Sequence, residues 1–122
     1  MAKKVLIIDD SVTIRSMVGI AFKNLGWEAE TAKSGEDALE IINAGGLFDF
    51  FVVDINMPGI NGIELMQKIR TNPAYRKTPM LVLTTESGEG LKQQGRDVGA
   101  SGWMVKPFKP EVMQAAVARL CK

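Results

Sequence analysis

Four short apolar runs each stop at a residue able to handle a phosphoryl group. Val5 to Ile8 stops at Asp9-Asp10, Phe50 to Val53 at Asp54, Met80 to Leu83 at Thr84-Thr85, and Trp103 to Val105 at Lys106-Pro107. If the runs are neighbouring parallel strands, their carboxyl ends share one edge, and three carboxylates, a hydroxyl and an ammonium converge on one crevice. Such a crevice suits phosphoryl transfer to a carboxylate. Carboxylates this close repel by roughly 4 kcal/mol per pair at 4 Å and an effective dielectric of 20, unless one takes a proton or a cation intervenes. An all-oxygen site without His or Cys favours Mg²⁺ or Mn²⁺ over zinc.

Each residue also has an ordinary reading when it stands alone: a helix cap for Asp9 or Asp10, a strand-terminal acid for Asp54, a β-branched strand residue for Thr84, a solvated cation for Lys106. The segment after Asp54 changes the balance. In Asp54-Ile55-Asn56-Met57-Pro58-Gly59, a turning backbone can aim the Asn56 carbonyl at a cation and leave the Asp54 carboxylate open to attack phosphorus. A carboxylate is a weak nucleophile, so positioning and charge neutralisation must do the work. Lys106 supplies the opposite charge, and Pro107 suits a cis bond that aims it. A Thr84 hydroxyl bonded to a new phosphoryl oxygen would draw in the loop that begins at Thr85.

The elements that must hold these groups alternate between strand and helix periods, with no repeat, linker or low-complexity segment. Val5 to Ile8 reads as a buried strand, and Ser11 caps a helix with an apolar face of Val12, Ile14, Met17, Val18, Ala21, Phe22 and Leu25, ended by Gly26. Glu28 to Ala32 alternates and belongs at a sheet edge. Ser34-Gly35-Glu36-Asp37 resembles a capping box with Asp in place of Glu, opening a helix through Ala38, Leu39, Ile41 and Ile42 that stops near Gly45-Gly46. Phe50 to Val53 is apolar on both faces, as a central strand requires. Asn61 caps a third helix carrying Ile63, Leu65, Met66 and Ile69, and Thr71 to Lys77 reads as loop. Met80 to Leu83 forms a fourth strand, a fourth helix runs to about Val98, and Gly102 to Val105 is a fifth strand. Pro110 opens a last helix containing Val112, Met113, Ala116, Val117 and Leu120. Five such units imply an α/β doubly wound parallel sheet with right-handed crossovers and five helices on its two faces.

The chain has 122 residues, 46% hydrophobic and 24% charged, which fits one domain over residues 1–122. A net charge of +1 and the absence of a basic arm argue against nucleic-acid binding. The amino-terminal apolar run is too short for a signal peptide and no run approaches a membrane span, so a cytoplasmic location without membrane insertion is expected. Cys121 stands alone near the carboxyl end and reads as incidental. With no histidine in the chain, His-dependent triads, His-ligated zinc and an internal phosphohistidine are excluded.

Taken in order, Val5-Leu-Ile-Ile-Asp-Asp10, Val53-Asp-Ile-Asn-Met-Pro-Gly59, Leu83-Thr84 and Lys106-Pro-Phe108 resemble the receiver domains of two-component response regulators, in particular the stand-alone chemotaxis type. The resemblance spans essentially the whole chain. It implies a flavodoxin-like sheet of order 2-1-3-4-5. It implies Asp54 as phosphoacceptor, Mg²⁺ held by Asp10, Asp54 and the Asn56 carbonyl, with Asp9 acting mainly through water, and Lys106 and Thr84 binding the phosphoryl group. Asn56 and Glu86 fall where this family tunes autodephosphorylation. The implied partners are a histidine kinase as donor, a downstream target such as a flagellar motor switch protein, and a phosphatase, with the chain itself a monomer. The implied module switches its fourth helix, fifth strand and last helix and is not a turnover enzyme.

Two features depart from the family pattern. Trp103 stands where Tyr or Phe is usual, and Ser87 to Arg96 carries three glycines in or beside a short helix, each interior one costing about 1 kcal/mol against Ala. The ordinary reading is a frayed helix start; the alternative is a helix that is poorly ordered without phosphorylation and orders as part of the switch. A phosphorelay intermediate or a phosphate sink would carry the same site residues. Two other classes compete. Asp9-Asp10-Ser11-Val12-Thr13 nearly meets the D-x-D-x-T signature of haloacid-dehalogenase-type phosphatases, but Ser11 replaces the second Asp. A flavin carrier needs a neutral phosphate loop after the first strand, where Asp9-Asp10 would repel the FMN phosphate.

Overall fold

Residues 2–121 are described by a computed structural model. The strands are β1 (Lys4–Ile8), β2 (Glu28–Ala32), β3 (Phe50–Val53), β4 (Met80–Thr84) and β5 (Gly102–Val105). The helices are α1 (Val12–Lys23), α2 (Gly35–Asn43), α3 (Gly62–Arg70), α4 (Glu89–Asp97) and α5 (Pro110–Leu120), with a 3₁₀ turn at Pro73–Tyr75. The strands form one parallel sheet in the order β2-β1-β3-β4-β5, as the resemblance implied.

Strand alternation divides the core in two. Leu6, Ile8, Phe51, Val53, Met80 and Val82 face α2 and α3, where Ala38, Ile42, Leu65, Met66 and Ile69 cover them. Val5, Ile7, Phe50, Val52, Leu81 and Leu83 face α1 and α5, where Val18, Ala21, Phe22, Met113 and Val117 cover them. Coverage on both faces is why β1, β3 and β4 read as unbroken apolar runs. A polar residue therefore enters each run only where the strand leaves the core, at its carboxyl end.

Several expected elements differ in detail. Val12 is 66% exposed and Met17 and Leu25 are also exposed, because α1 buries only the stripe of Val18, Gly19, Ala21 and Phe22 with Ile14 at its margin; Val112, in the first turn of α5, is exposed as well. Ile20, 60% exposed, joins Val12 on the open face of α1. The segment Thr71 to Lys77 is not plain loop. Asn72 caps the 3₁₀ turn through the Ala74 amide, and Tyr75 packs edge-on against Phe51 while its hydroxyl donates to the Gly46 carbonyl. Ser34 caps α2 as expected, accepting from the Asp37 amide, but the short Asp37 carboxylate reaches the Lys33 amide, not that of Ser34. Strand β5 is the second sheet edge, with Trp103 and Met104 half-buried. Cys121 is half-buried against the α1–α5 core.

Candidate functional site

The register of the sheet assembles the site. Ile8 and Val53 are paired across β1 and β3, so the next residues, Asp9 and Asp54, emerge side by side. The Asp54 amide donates to the Ile8 carbonyl and the Asp9 amide to the Ala32 carbonyl, which carries the sheet's bonding one residue past each strand. Thr84 pairs with Val105, and the Lys106 amide donates to the Thr84 carbonyl, so Thr84 and Lys106 are neighbours on the other side of β3. Asp9 and Asp54 are only 2% and 5% exposed and Thr84 is fully buried, whereas Asp10 is open to solvent.

Carboxylate oxygens of Asp9, Asp10 and Asp54 lie within 4.8 Å of one another. The Lys106 ammonium bridges the two buried acids, with Nζ 2.8 Å from Asp9 Oδ2 and 3.3 Å from Asp54 Oδ2. The second oxygens are held by backbone: Ser11 N donates to Asp9 Oδ1 at 2.9 Å and Ile55 N to Asp54 Oδ1 at 2.8 Å. Burial and the nearby Asp9 charge push the Asp54 carboxyl above its usual range, with Lys106 and the Thr84 hydroxyl offsetting part of that rise. Burial opposes the Lys106 charge as well, but its hydrogen bond to Asp9 and the charges of both acids outweigh it and raise the ammonium above its ordinary value. The lysine is thus a fixed cation among acids. The Lys106–Pro107 peptide bond is cis, as anticipated.

At the mouth, Asn56 Nδ2 donates to Glu86 Oε2 at 2.7 Å. The Glu86 amide points at Thr84 Oγ1 at 3.4 Å, and its carbonyl accepts from Trp103 Nε1 at 2.9 Å. The Trp103 indole in turn lies over α4, where a Cβ on Gly95 would stand 2.8 Å from it. A continuous set of contacts therefore runs from the floor of the site through residues 84–86 to α4. The indole N–H, which a Tyr or Phe lacks, is what closes it.

The expected residues Asp9, Asp10, Asp54, Thr84 and Lys106 all gather at one sheet edge. Asn56 lies on the adjoining loop with its side chain turned to Glu86. The direct Asp9–Lys106 pair was not anticipated, since β1 and β5 are separated by β3 and β4 and the long lysine side chain must reach back across the strand ends to meet Asp9. Two further contributors were missed. Arg15 Nη1 donates to the Asp9 carbonyl at 2.7 Å from one turn into α1, a contact with no sequence signature. Gly62 allows the close return of α3, since a Cβ there would lie 2.2 Å from the Asp54 carbonyl oxygen. A glycine directly after a capping Asn was the available signal for that approach.

Comparison with known proteins agrees with this geometry. The model of the response regulator receiver domain matches residues 5–118. The chemotaxis protein CheY of Pseudomonas aeruginosa is 32% identical over 118 residues, covering 96% of this chain and 94% of that protein. The crystal structure of Vibrio cholerae chemotaxis protein CheY4 has a TM-score of 0.93 at 42% identity, covering 98% of this chain and 99% of that one. The response regulator TrrA of Thermotoga maritima, in complex with Mg²⁺-BeF, has a TM-score of 0.84 at 30% identity, covering 97% of this chain and 98% of that one. With its motifs, its strand order and its edge-clustered acids all in agreement, this chain belongs to the response regulator receiver domain family.

Proposed function

We propose that this chain is a phosphorylation-controlled signalling module that accepts a phosphoryl group on Asp54 from the phosphohistidine of a separate kinase. The observation that carries the reading is a nearly buried carboxylate whose open neighbourhood holds two further carboxylates within 4.8 Å and a lysine at 3.3 Å. The donor set fits a hard divalent cation, because its atoms are carboxylate oxygens with no His or Cys among them. Asp9, Asp10, Asp54 and the Asn56 carbonyl would hold Mg²⁺, or Mn²⁺ in its stead. When bound, the cation supplies charge neutralisation for the acids and the incoming phosphoryl oxygens. An Asp54 oxygen attacks phosphorus as the bond from phosphorus to the donor imidazole nitrogen breaks, and that nitrogen recovers its proton from solvent. Lys106 orients the attacking carboxylate and meets the negative charge on the transferred group. Hydrolysis of the acyl phosphate resets the module, with Asn56 and Glu86 setting access for water at the mouth.

The Thr84 hydroxyl, turned to a phosphoryl oxygen, would draw residues 84–86 inward and carry Trp103 and α4 with them. The altered surface of α4, β5 and α5 then controls a protein partner. By likeness to the CheY proteins the pathway is chemotaxis and the partner a flagellar motor switch component, while a phosphorelay intermediate or phosphate sink would use the same chemistry. The chain acts as a switch and not as a turnover enzyme. The same reading takes the chain to act in the cytoplasm as a monomer, and among the described residues no helix is long and apolar enough to cross a membrane. A dehalogenase-type phosphatase is disfavoured because Ser11, where its second Asp would stand, is engaged as the α1 cap through the Ile14 amide. Intact mass measurement after incubation with Mg²⁺ and acetyl phosphate tests the reading: one phosphoryl adduct in the native chain and none in Asp54→Ala supports it. Continuous phosphate release that depends on Asp9 would instead favour the phosphatase.

A further inference from the structure

The loop from Asp54 to Asn61 carries the acceptor and Asn56, and both its ends are fixed. At its start Ile55 N donates to Asp54 Oδ1, and at its end Asn61 and Glu64 form a reciprocal capping box, 2.9 and 3.0 Å. The outer turn between them is built from Pro58, a left-handed Gly59 with φ of 79°, and Ile60. Such a turn leaves the Ile60 amide without a partner in its own segment. The partner comes from another element. Glu36, in the first turn of α2, accepts from Ile60 N through Oε2 at 3.0 Å.

The fit is close on both sides of that bond. A Cβ on Gly59 would stand 2.3 Å from Glu36 Oε2, so the carboxylate lies directly on the glycine. A Cβ on Gly35 would stand 2.4 Å from Ile60 Cγ1, so the isoleucine side chain fills the space that Gly35 leaves. Gly35 and Glu36 thus grip the turn at two points, one apolar and one polar. Glu36 is exposed and takes no part in the core, so core packing does not account for its placement. Its carboxyl lies below the usual carboxylate range because the Ile60 amide favours the charged form.

We infer that Glu36 is a positioning residue for the site: by holding the Ile60 amide it fixes the β3–α3 turn and so the placement of Asn56 against Asp54 and the cation. Glu36 touches none of the reacting atoms. The inference rests on the proposed phosphoryl-acceptor reading for its consequence in catalysis, but not for the geometry it predicts.

The test compares Glu36→Ala and Glu36→Gln in the full chain, using Mg²⁺ titration followed by amide NMR, exchange of the Ile60 amide, and the rate of adduct formation with acetyl phosphate. Glutamine keeps an oxygen that can accept the same N–H but carries no charge. In Glu36→Ala, Ile60 exchange should quicken, and Mg²⁺ affinity and phosphorylation rate should each fall about fivefold, the factor expected for one lost hydrogen bond. Glu36→Gln should stay within about twofold of the native chain on the same scale. Native-like Mg²⁺ affinity in Glu36→Ala overturns the inference. Equal losses in both variants also overturn it, because the remote charge and not the hydrogen bond would then be responsible. Should the native chain form no adduct while Mg²⁺ affinity falls in Glu36→Ala and recovers in Glu36→Gln, the acceptor reading fails and the positioning role stands.

Discussion

Lys106 lies between Asp9 and Asp54 at 2.8 and 3.3 Å, yet burial, together with the Asp9 charge, still holds the Asp54 carboxyl above its usual range. That rise has a sign that can be measured. Between the ordinary carboxylate pKa and the raised folded one, the native state binds more protons than the unfolded chain. Stability of the metal-free protein must therefore fall as pH rises through that window. Asp54→Asn removes the titration. In EDTA it should be more stable than the native chain at neutral pH, because the raised Asp54 carboxyl no longer has to ionise in a buried site. The gain should shrink to nothing as pH drops below the ordinary carboxylate range, as read from urea unfolding at a series of pH values. A gain that does not change with pH would contradict the assignment. At this scale the gathering of the residues was legible in the sequence, because Asp9, Asp54, Thr84 and Lys106 each end an apolar run and parallel strands bring those ends together. Arg15 and Glu36 were not legible, because each acts through a single backbone group on a distant segment.

Two elements bear directly on how the site connects to the surface. Arg70, the last residue of α3, donates to the carbonyls of Tyr75, Thr78 and Gly99 at 2.6, 2.7 and 2.6 Å, tying the 3₁₀ turn, the start of β4 and the α4–β5 turn together. Only the planar guanidinium fork reaches all three. Arg70→Met should cost about 2–3 kcal/mol in chemical unfolding, as expected for charge-assisted bonds left unmade. The opposite case is α4, where Gly88 offers no side-chain cap and Gly95 is the one buried residue. Gly88 and Gly90 face open space, so Gly90→Ala meets no obstacle and should gain about 1 kcal/mol of helix stability. Amide exchange across residues 88–96 should slow about fivefold in that variant. It should also slow in the native chain on adding Mg²⁺ and beryllofluoride, and equal protection with and without them would remove α4 ordering from the switch. Trp103 is larger than the Tyr or Phe usual at its position. Gly95 beneath its ring and the Glu86 carbonyl at its N–H give the larger side chain a fitted seat, a pairing that separate motifs in the sequence could not reveal. Helix faces were read less well than strands. Val12, Met17 and Leu25 matched the period of α1 but lie outside the narrow stripe that α1 buries on the sheet.

For the molecule as a whole, the sheet is thickly covered at the strands that carry the acids and thinly covered at its β5 margin. Strands β1, β3 and β4 are buried on both faces, while β5 and α4 form a lightly packed margin. Strand order could not be taken from periodicity, because buried parallel strands look alike from within. It came instead from resemblance, and the sheet bears it out. Cation binding couples to the whole fold by mass action. Mg²⁺ at a hundred times its dissociation constant should stabilise the native chain by about 2.7 kcal/mol, with a smaller gain in Asp54→Asn, both read from unfolding midpoints. If Asp54 receives the phosphoryl group, the position of that group in the chain can be found chemically. The chain is incubated with Mg²⁺ and acetyl phosphate and reduced with borohydride, which converts an aspartyl phosphate to homoserine, and its peptides are then sequenced by mass spectrometry. Homoserine is expected at position 54 alone, lost when EDTA replaces Mg²⁺. Homoserine at Asp9 or Asp10, or an unmodified Asp54 under conditions that phosphorylate a known receiver domain, would contradict Asp54 as the acceptor.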